Sequence, residues 1–259
     1  MDFTPITYQA LNILWYLIPI TLLLAALRSP WFKGLFGEFQ VNLAAKLFLP
    51  QNDYHLIKNV TLPTNNGTTQ IDHIIVSRYG VFVVETKNMK GWIFGSKNQK
   101  TWTQKIYKHS NKFQNPLHQN YKHIKTLEAF LDIPSSAIHS VVVFVGDSTF
   151  KTPMPENVTS ASSFIHHIKS KHEQLLSEAD VNNVITNIQD RRLQPGFKTN
   201  RAHVTHVTQT ILTKQSPQTT CPKCANPMVL RVAKVGRNAG NEFWGCSTFP
   251  ACKGMVSIN

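Results

Sequence analysis

Glu85 and Lys87 stand two residues apart near the end of Val81-Phe-Val-Val-Glu-Thr-Lys87, a run that reads as a strand. Both side chains therefore leave the same face. Asp72 lies early in the preceding apolar run, Ile71-Asp-His-Ile-Ile-Val-Ser77, and Gly80 supplies the turn between the two. Carboxylates brought close together resist ionising together, and a divalent cation removes that conflict. Mg²⁺ or Mn²⁺ takes carboxylate oxygens, keeps several waters and completes its shell with substrate phosphate. Asp72 and Glu85 are the candidate ligands. Lys87 beside them could orient or deprotonate an attacking water, or neutralise charge developing on phosphorus. Glu38, in an expected upstream helix, could add a ligand or fix a metal-bound water. Glu-x-Lys alone is a weak signal, because such triplets are frequent on solvated strands; Asp72 and Glu38 sharpen it. Two blander readings stay open, a site that binds without turnover and ordinary surface charges. His73, His118 and His123 lie nearby in sequence but are expected as surface or core histidines rather than ligands.

A second constellation closes the chain. Cys221-Pro-Lys-Cys224 and Cys246-Ser-Thr-Phe-Pro-Ala-Cys252 are two knuckles separated by 21 residues, and the chain has four cysteines in all. This spacing lets four thiolates surround Zn²⁺ as a tetrahedron, and a four-sulfur site has no open position for catalysis. Met228 to Ala233 and Asn241 to Gly245 read as ribbon strands around the Gly236 to Gly240 turn.

Charge directs attention to phosphates. With 27 Lys+Arg against 14 Asp+Glu the net charge is +13, which favours nucleic acid or anionic lipid as partner and says little about fold. The excess is concentrated. Nine lysines lie between Glu85 and Glu128 with no acid among them, and eight basic residues from Lys198 to Lys253 face only Glu242. A solvated face remains the bland reading of each stretch.

These groups need elements to position them. The first is apolar: no charge occurs from Phe3 to Leu27, a run long enough for one membrane helix of ~20 residues. Pro19 would kink such a helix without forbidding it. A cleaved signal peptide or a buried core helix competes, but the segment before the run lacks the positive charge of a signal peptide. Arg28, Lys33 and Lys46 follow it, placing the bulk of the chain in the cytoplasm by the positive-inside rule, where reducing conditions also suit free thiolates. A single-pass protein of a bacterial-type plasma membrane is the expectation.

Beyond the anchor, a helix is expected from about Gly37 to Phe48, with Phe39, Leu43 and Leu47 at helical spacing. Tyr54 to Val60 reads as a strand and Pro63 to Thr68 as a turn. Lys105 to Asn115 reads ambiguously. A helix from about Pro116 to Leu131, a strand over Val141 to Val145, and helices near Ala161 to Lys171 and Ser177 to Arg192 complete the order. The fold class implied is α/β, a central mixed sheet flanked by helices. Gln194 to Arg201 and Thr213 to Thr220 resemble linkers. The expected division is an anchor over 1–30, a domain over 34–150, its helical extension over 151–195, a linker over 196–219 and the ribbon over 220–259.

Gly37-Glu38, Gln70-Ile-Asp72-His-Ile-Ile-Val76, Val84-Glu85-Thr-Lys87-Asn88, Trp92, Trp102 and Asn115-Pro-Leu-His-Gln119-Asn120 resemble the nuclease-related domain (NERD) family, a branch of the PD-(D/E)xK nucleases. The resemblance spans about Gly37 to Val145; the superfamily's Pro-Asp pair reads Ile71-Asp72 here. It implies a restriction-endonuclease-like sheet, the metal-site roles of Asp72, Glu85 and Lys87, Glu38 as the helix-borne acid, and Gln119 near the substrate. From Thr220 to Ser257, Cys-Pro-x-Cys, Gly236-Arg237, Phe243-Trp-Gly-Cys-Ser247 and Phe249-Pro-x-Cys252 resemble the zinc-ribbon repeats of bacterial type IA topoisomerases. Those repeats bind single-stranded DNA, which implies DNA contacts for Arg231, Arg237, Phe243, Trp244 and Phe249. Aromatic faces that stack on bases beside Arg and Lys suit that role, although Trp244 and Phe249 could instead form the ribbon's small core. The expected activity is metal-assisted hydrolysis of DNA phosphodiester bonds, with Mg²⁺ or Mn²⁺, structural Zn²⁺ and no small-molecule cofactor. The alternatives are a membrane-tethered DNA-binding scaffold without turnover and basic faces that dock on anionic lipid.

Overall fold

Ser29 and Pro30 decide where the first helix stops. The Ser29 hydroxyl accepts from the Phe32 backbone N–H at 3.2 Å and Pro30 takes the first position of the next helix, an arrangement that starts a new helix rather than extending the old one. Helix α1 (Thr4–Arg28) therefore gives way to α2 (Pro30–Phe48), with a bend of 62° between Trp15–Arg28 and Pro30–Phe48. The computed structural model describes residues 4–64, 67–194, 220–233 and 242–257, with backbone alone for 4–14, Leu230 and Glu242. The chain divides into two compact units, Met1–Pro195 and Gly196–Asn259.

In the first unit α2 leads into β1 (Tyr54–Thr64), β2 (Gly67–Ser77), β3 (Gly80–Asn88), β4 (Gly91–Phe94), β5 (Thr101–Ile106) and β6 (His109–Gln114). Helix α3 (Pro116–Glu128), β7 (Ile138–Val145), β8 (Ser148–Phe150), β9 (Val158–Ser160), α4 (Phe164–Lys169) and α5 (Glu178–Arg191) follow. The main sheet runs β1-β2-β3-β7-β9. Its first three strands are antiparallel, while β3, β7 and β9 are parallel. Alternation along the strands feeds two cores. Val81 and Val83 face Leu127 of α3 and Val181, Val184 and Ile188 of α5, whereas Phe82 and Val84 face Val41 and Ala45 of α2 and Phe164 and Ile168 of α4. The sheet is thus covered on both sides, as its uninterrupted Val and Ile runs require.

A second sheet, β6-β5-β4-β8, packs Ile93 and the fully buried Trp102 onto Val142 and Phe144 of β7. Lys105 to Asn115, ambiguous in sequence, forms most of this hairpin. Its periodicity is hidden because β6 is exposed at almost every position. The strands flanking Asn66-Gly67 also run further than expected, to Thr64 and from Gly67. Helix α2 starts seven residues before Gly37, and its core face consists of Gly37, Val41 and Ala45. Phe39, Leu43 and Leu47 point away from the domain. Small residues face the sheet because a Cβ on Gly37 would come within 2.9 Å of Asn88 Cβ and Val145 Cγ2. Among the described residues no single helix is long and apolar enough to cross a membrane; Trp15–Arg28 and Pro30–Phe48 meet that test only as a bent pair. Part of the expected anchor lies outside the residues whose side chains are described.

In the second unit β10 (Met228–Val232), β11 (Glu242–Cys246) and β12 (Met255–Ser257) form an antiparallel sheet. The expected linker over 196–219 and the turn over 236–240 lie outside the described residues.

Asn115 ties the loop before β5 to the start of α3. Its side-chain oxygen accepts from Leu117 N at 2.9 Å, capping the helix, and its amide donates to the carbonyls of Ser96, Lys97 and Gln99 at 3.2, 3.1 and 2.7 Å. Asn115→Ala is expected to destabilise this unit by about 1–2 kcal/mol, from the lost helix cap and the lost bonds to the 96–99 loop. Urea unfolding of the whole chain measures it, and an unchanged midpoint would show that the 95–100 loop is held by other contacts.

Candidate functional site

The β2–β3 ladder sets the distance between the two central acids. His73 pairs with Val84, so Asp72 and Glu85 occupy the next positions along neighbouring strands. On its other side Asp72 faces a break: Lys58 pairs with His73 and Val60 with Ile71, while Asn59 between them adopts φ 50, a conformation asparagine tolerates better than most residues. Asp72 Oδ2 accepts from Thr86 N at 2.9 Å. Among the described residues it forms no ion pair with Lys, Arg or His.

Glu85 is almost fully buried, and its two oxygens are both used. Oε1 accepts from Lys87 Nζ at 2.6 Å and Oε2 lies 3.3 Å from His123 Nε2. Lys87 also donates to Gln119 Oε1 at 2.9 Å, and His123 Nδ1 lies 2.9 Å from Thr69 Oγ1. Gln119 and His123 are four residues apart on α3 and share the face turned to the sheet. Asn120 between them fixes that face by donating to Val83 O, Ser140 Oγ and Val141 O at 2.8, 2.9 and 3.3 Å. No role in the site was legible for His123 in the sequence, because its partner Glu85 is 38 residues away.

Electrostatics show how crowded the acids are. Burial, then Glu85 and Glu38, push the Asp72 carboxyl well above its usual range, and the Thr86 N–H and Lys87 offset only part of this. Burial and Glu85 also raise Glu38. Burial would raise Glu85 too, but the bonds from His123 and Lys87 outweigh it and hold its carboxyl below the ordinary value. His73, fully buried on β2, is pushed down to about 4 chiefly by burial and is neutral at physiological pH. The structure therefore brings Glu38, Asp72, Glu85, Lys87 and Gln119 into one electrostatic neighbourhood. Their ligand atoms are not drawn as close as those of a preformed cage: among the described residues, the only group of three or more His, Cys, Asp or Glu within 4.8 Å of one another is Cys221, Cys224, Cys246 and Cys252.

Those four sulfurs fit zinc. Cys224 and Cys246 Sγ are 3.4 Å apart and Cys221 and Cys252 Sγ 3.6 Å apart, against ~3.8 Å for the edge of a tetrahedron with ~2.3 Å bonds. Crowding divides the thiols. Cys224 is drawn down to about 6, first by the Asn226 backbone N–H, while Cys252 is pushed up to about 12 because its sulfur neighbours outweigh the Gly254 N–H. Four thiolates can coexist only around a cation. Gly254 makes room for them, since a Cβ there would lie 2.1 Å from Cys221 Sγ.

The ribbon sheet sorts the aromatic residues by face. Trp244 pairs with Leu230 and Val256 and packs with Cys221, Met228 and Cys246 in the core. Arg231 pairs with Phe243 on the opposite face. There Arg231, Phe243, Phe249, Lys253 and Met255 line a cavity of about 260 Å³. Phe249 is 54% exposed with the Arg231 guanidinium 5.2 Å from its ring centre, so of the two aromatics open to either role it is Trp244 that serves the core. Lys253 and Met255 join this face without a motif to announce them. Arg237 lies outside the described residues.

Comparison with known proteins agrees with this division. Residues 33–145 match the nuclease-related domain and residues 218–259 the topoisomerase DNA binding C4 zinc finger. An uncharacterised protein of Bacillus anthracis is 49% identical over 104 residues, covering 40% of this chain and 49% of that one. The chain thus spans about half the length of that relative. No solved structure matches.

Two outcomes follow from these charges. A raised Asp72 means the folded protein holds more protons than the unfolded chain above the ordinary carboxylate value, so this group costs stability as pH rises from about 3.8 toward its folded value. Asp72→Asn is therefore expected to raise the thermal midpoint at pH 7 without added Mg²⁺, and a lowered midpoint would show that Asp72 serves structure. Zinc removal is expected to abolish amide-exchange protection of β10, β11 and β12 while leaving the first unit's sheet protected; ribbon protection that survives chelation would disprove a metal-held fold.

Proposed function

We propose that this fusion of a nuclease-related domain with a topoisomerase-type C4 zinc ribbon is a membrane-anchored, metal-dependent nuclease that hydrolyses DNA phosphodiester bonds, its ribbon engaging single strands. The observation that carries the reading is the crowding of the acids: Asp72 and Glu85 hold adjacent positions on β2 and β3, Glu85 and Glu38 raise the proton affinity of Asp72 and Glu85 that of Glu38, and among the described residues the ion-pair partners in the cluster, Lys87 and His123, both belong to Glu85. A cluster with excess negative charge suits a hard divalent cation. Asp72 and Glu85 would hold Mg²⁺ or Mn²⁺ with Glu38 in support, and that ion would supply Lewis-acid polarisation and an acidified water.

The chain's own groups do the rest. Lys87 carries a positive charge to the mouth of the site, where it can offset charge developing on the phosphoryl oxygens. Gln119 holds the Lys87 ammonium from the other side, and His123 keeps Glu85 oriented and ionised. On the ribbon, Phe243 and Phe249 offer faces for bases while Arg231 and Lys253 meet phosphates. Arg237 is proposed as a further phosphate contact, and Trp244 supports the face from beneath. The apolar N-terminal segment would hold the chain in a bacterial-type plasma membrane with both units in the cytoplasm.

One observation favours a second reading, a tethered DNA-binding scaffold: both Glu85 oxygens are engaged by protein groups. Turnover decides between the two. In Mg²⁺ or Mn²⁺ the full chain is expected to degrade DNA, and Lys87→Ala to lower kcat by about 10²–10³ with unchanged DNA affinity. Binding without cleavage under either metal would establish the scaffold instead. For the ribbon, Phe249→Ala is expected to weaken single-stranded DNA binding by about 1–3 kcal/mol, read by fluorescence anisotropy; unchanged affinity would remove this face from DNA recognition.

A further inference from the structure

Helix α2 has two apolar faces, and the domain covers one of them. Gly37, Val41 and Ala45 pack on the main sheet. Phe32, Phe36, Phe39, Leu43 and Leu47 recur every three or four residues along the outside, a spacing that makes one continuous stripe. Their rings form a ladder, with Phe32 and Phe36 centres 6.4 Å apart and Phe36 and Phe39 6.5 Å apart. Leu47 is 66% exposed and Phe39 56%. The stripe adds nothing to the core, and so many large apolar groups facing water along one helix mark a contact surface.

We infer that this stripe lies in the lipid–water interface of an anionic membrane, so that the helix bearing Glu38 also seats the domain on the bilayer. The inference rests on the membrane reading proposed above. Three observations favour lipid over a second copy or another protein. The stripe continues directly from α1, whose Leu17, Ile18, Ile20, Leu22, Leu23 and Leu24 are likewise exposed. The bend of 62° at Ser29-Pro30 turns α2 away from the α1 axis, so that if α1 crosses a bilayer, α2 runs obliquely along its surface rather than through it. Lys33 and Lys46, both exposed, border the stripe, and the helix's only acid, Glu38, turns toward the acidic cluster instead. Apolar groups flanked by lysines and free of acids match acyl chains beneath anionic headgroups, with such helices sinking ~5–10 Å into the boundary. The exposed Trp31 at the start of the helix suits the interface belt.

Photocrosslinking in full-length chain reconstituted into phosphatidylglycerol and phosphatidylcholine vesicles tests this. The photoreactive analogue p-benzoylphenylalanine replaces Phe39 in one preparation, Leu22 in a second and Tyr107, which is 93% exposed in the turn between β5 and β6, in a third. The expected result is a lipid-mass adduct at position 39 and at position 22, with none at 107. An adduct joining two chains at position 39 overturns the inference in favour of a second copy. Lipid adducts at 22 without any at 39 overturn it while leaving the anchor intact. Absence of lipid adducts at both, from chain that does not float with vesicles, overturns the anchor and the inference together.

Discussion

Concentrated negative charge is the condition around which the first unit is organised. Asp72 and Glu85 sit side by side because β2 and β3 pair in one register, and a single-residue slip would turn one of them to the opposite face. Glu38 adds a third carboxylate from α2. Burial strengthens the repulsion among them, so each feature around the site is either a partial answer to that charge or a device that keeps the answer in place. Lys87 and His123 hold Glu85 ionised, while Thr86 N–H gives Asp72 its hydrogen bond.

The surrounding structure serves those few contacts. Asn115 starts α3 at a fixed point and ties it to the loop before β5; Asn120 bolts the helix to β3 and β7; Gln119 and His123 then reach the site from one face. The Lys-rich stretch between Glu85 and Glu128 becomes the second sheet and α3, so the basic residues belong to the same unit as the acids. The ribbon repeats this economy on a smaller scale. Its sheet puts Trp244 against the cysteines and leaves Phe243, Arg231 and Phe249 on the other side.

The sequence made the strong periodic elements plain. Strands rich in Val and Ile, the Pro116 helix start and the four-cysteine spacing all follow from local rules that act within a few residues. Asp72, Glu85 and Lys87 were visible for the same reason, since period-two alternation places them. What stayed hidden depended on distant partners. His123 reads as one histidine among eleven until the fold brings Glu85 to it. The β5–β6 hairpin lacks alternation because β6 buries almost nothing, and Trp102, fully buried, is its one deep anchor. On α2, the helical spacing of Phe39, Leu43 and Leu47 did not show which face meets the sheet: close approach of Gly37 to Val145 demands the small side, which sends the phenylalanines outward.

The most direct test of this account is anomalous diffraction from crystals grown with Mn²⁺. The charge argument predicts a manganese peak coordinated by Asp72 and Glu85, with Glu38 bound directly or through water. Manganese absent from that cluster while the acids keep their present places would contradict it.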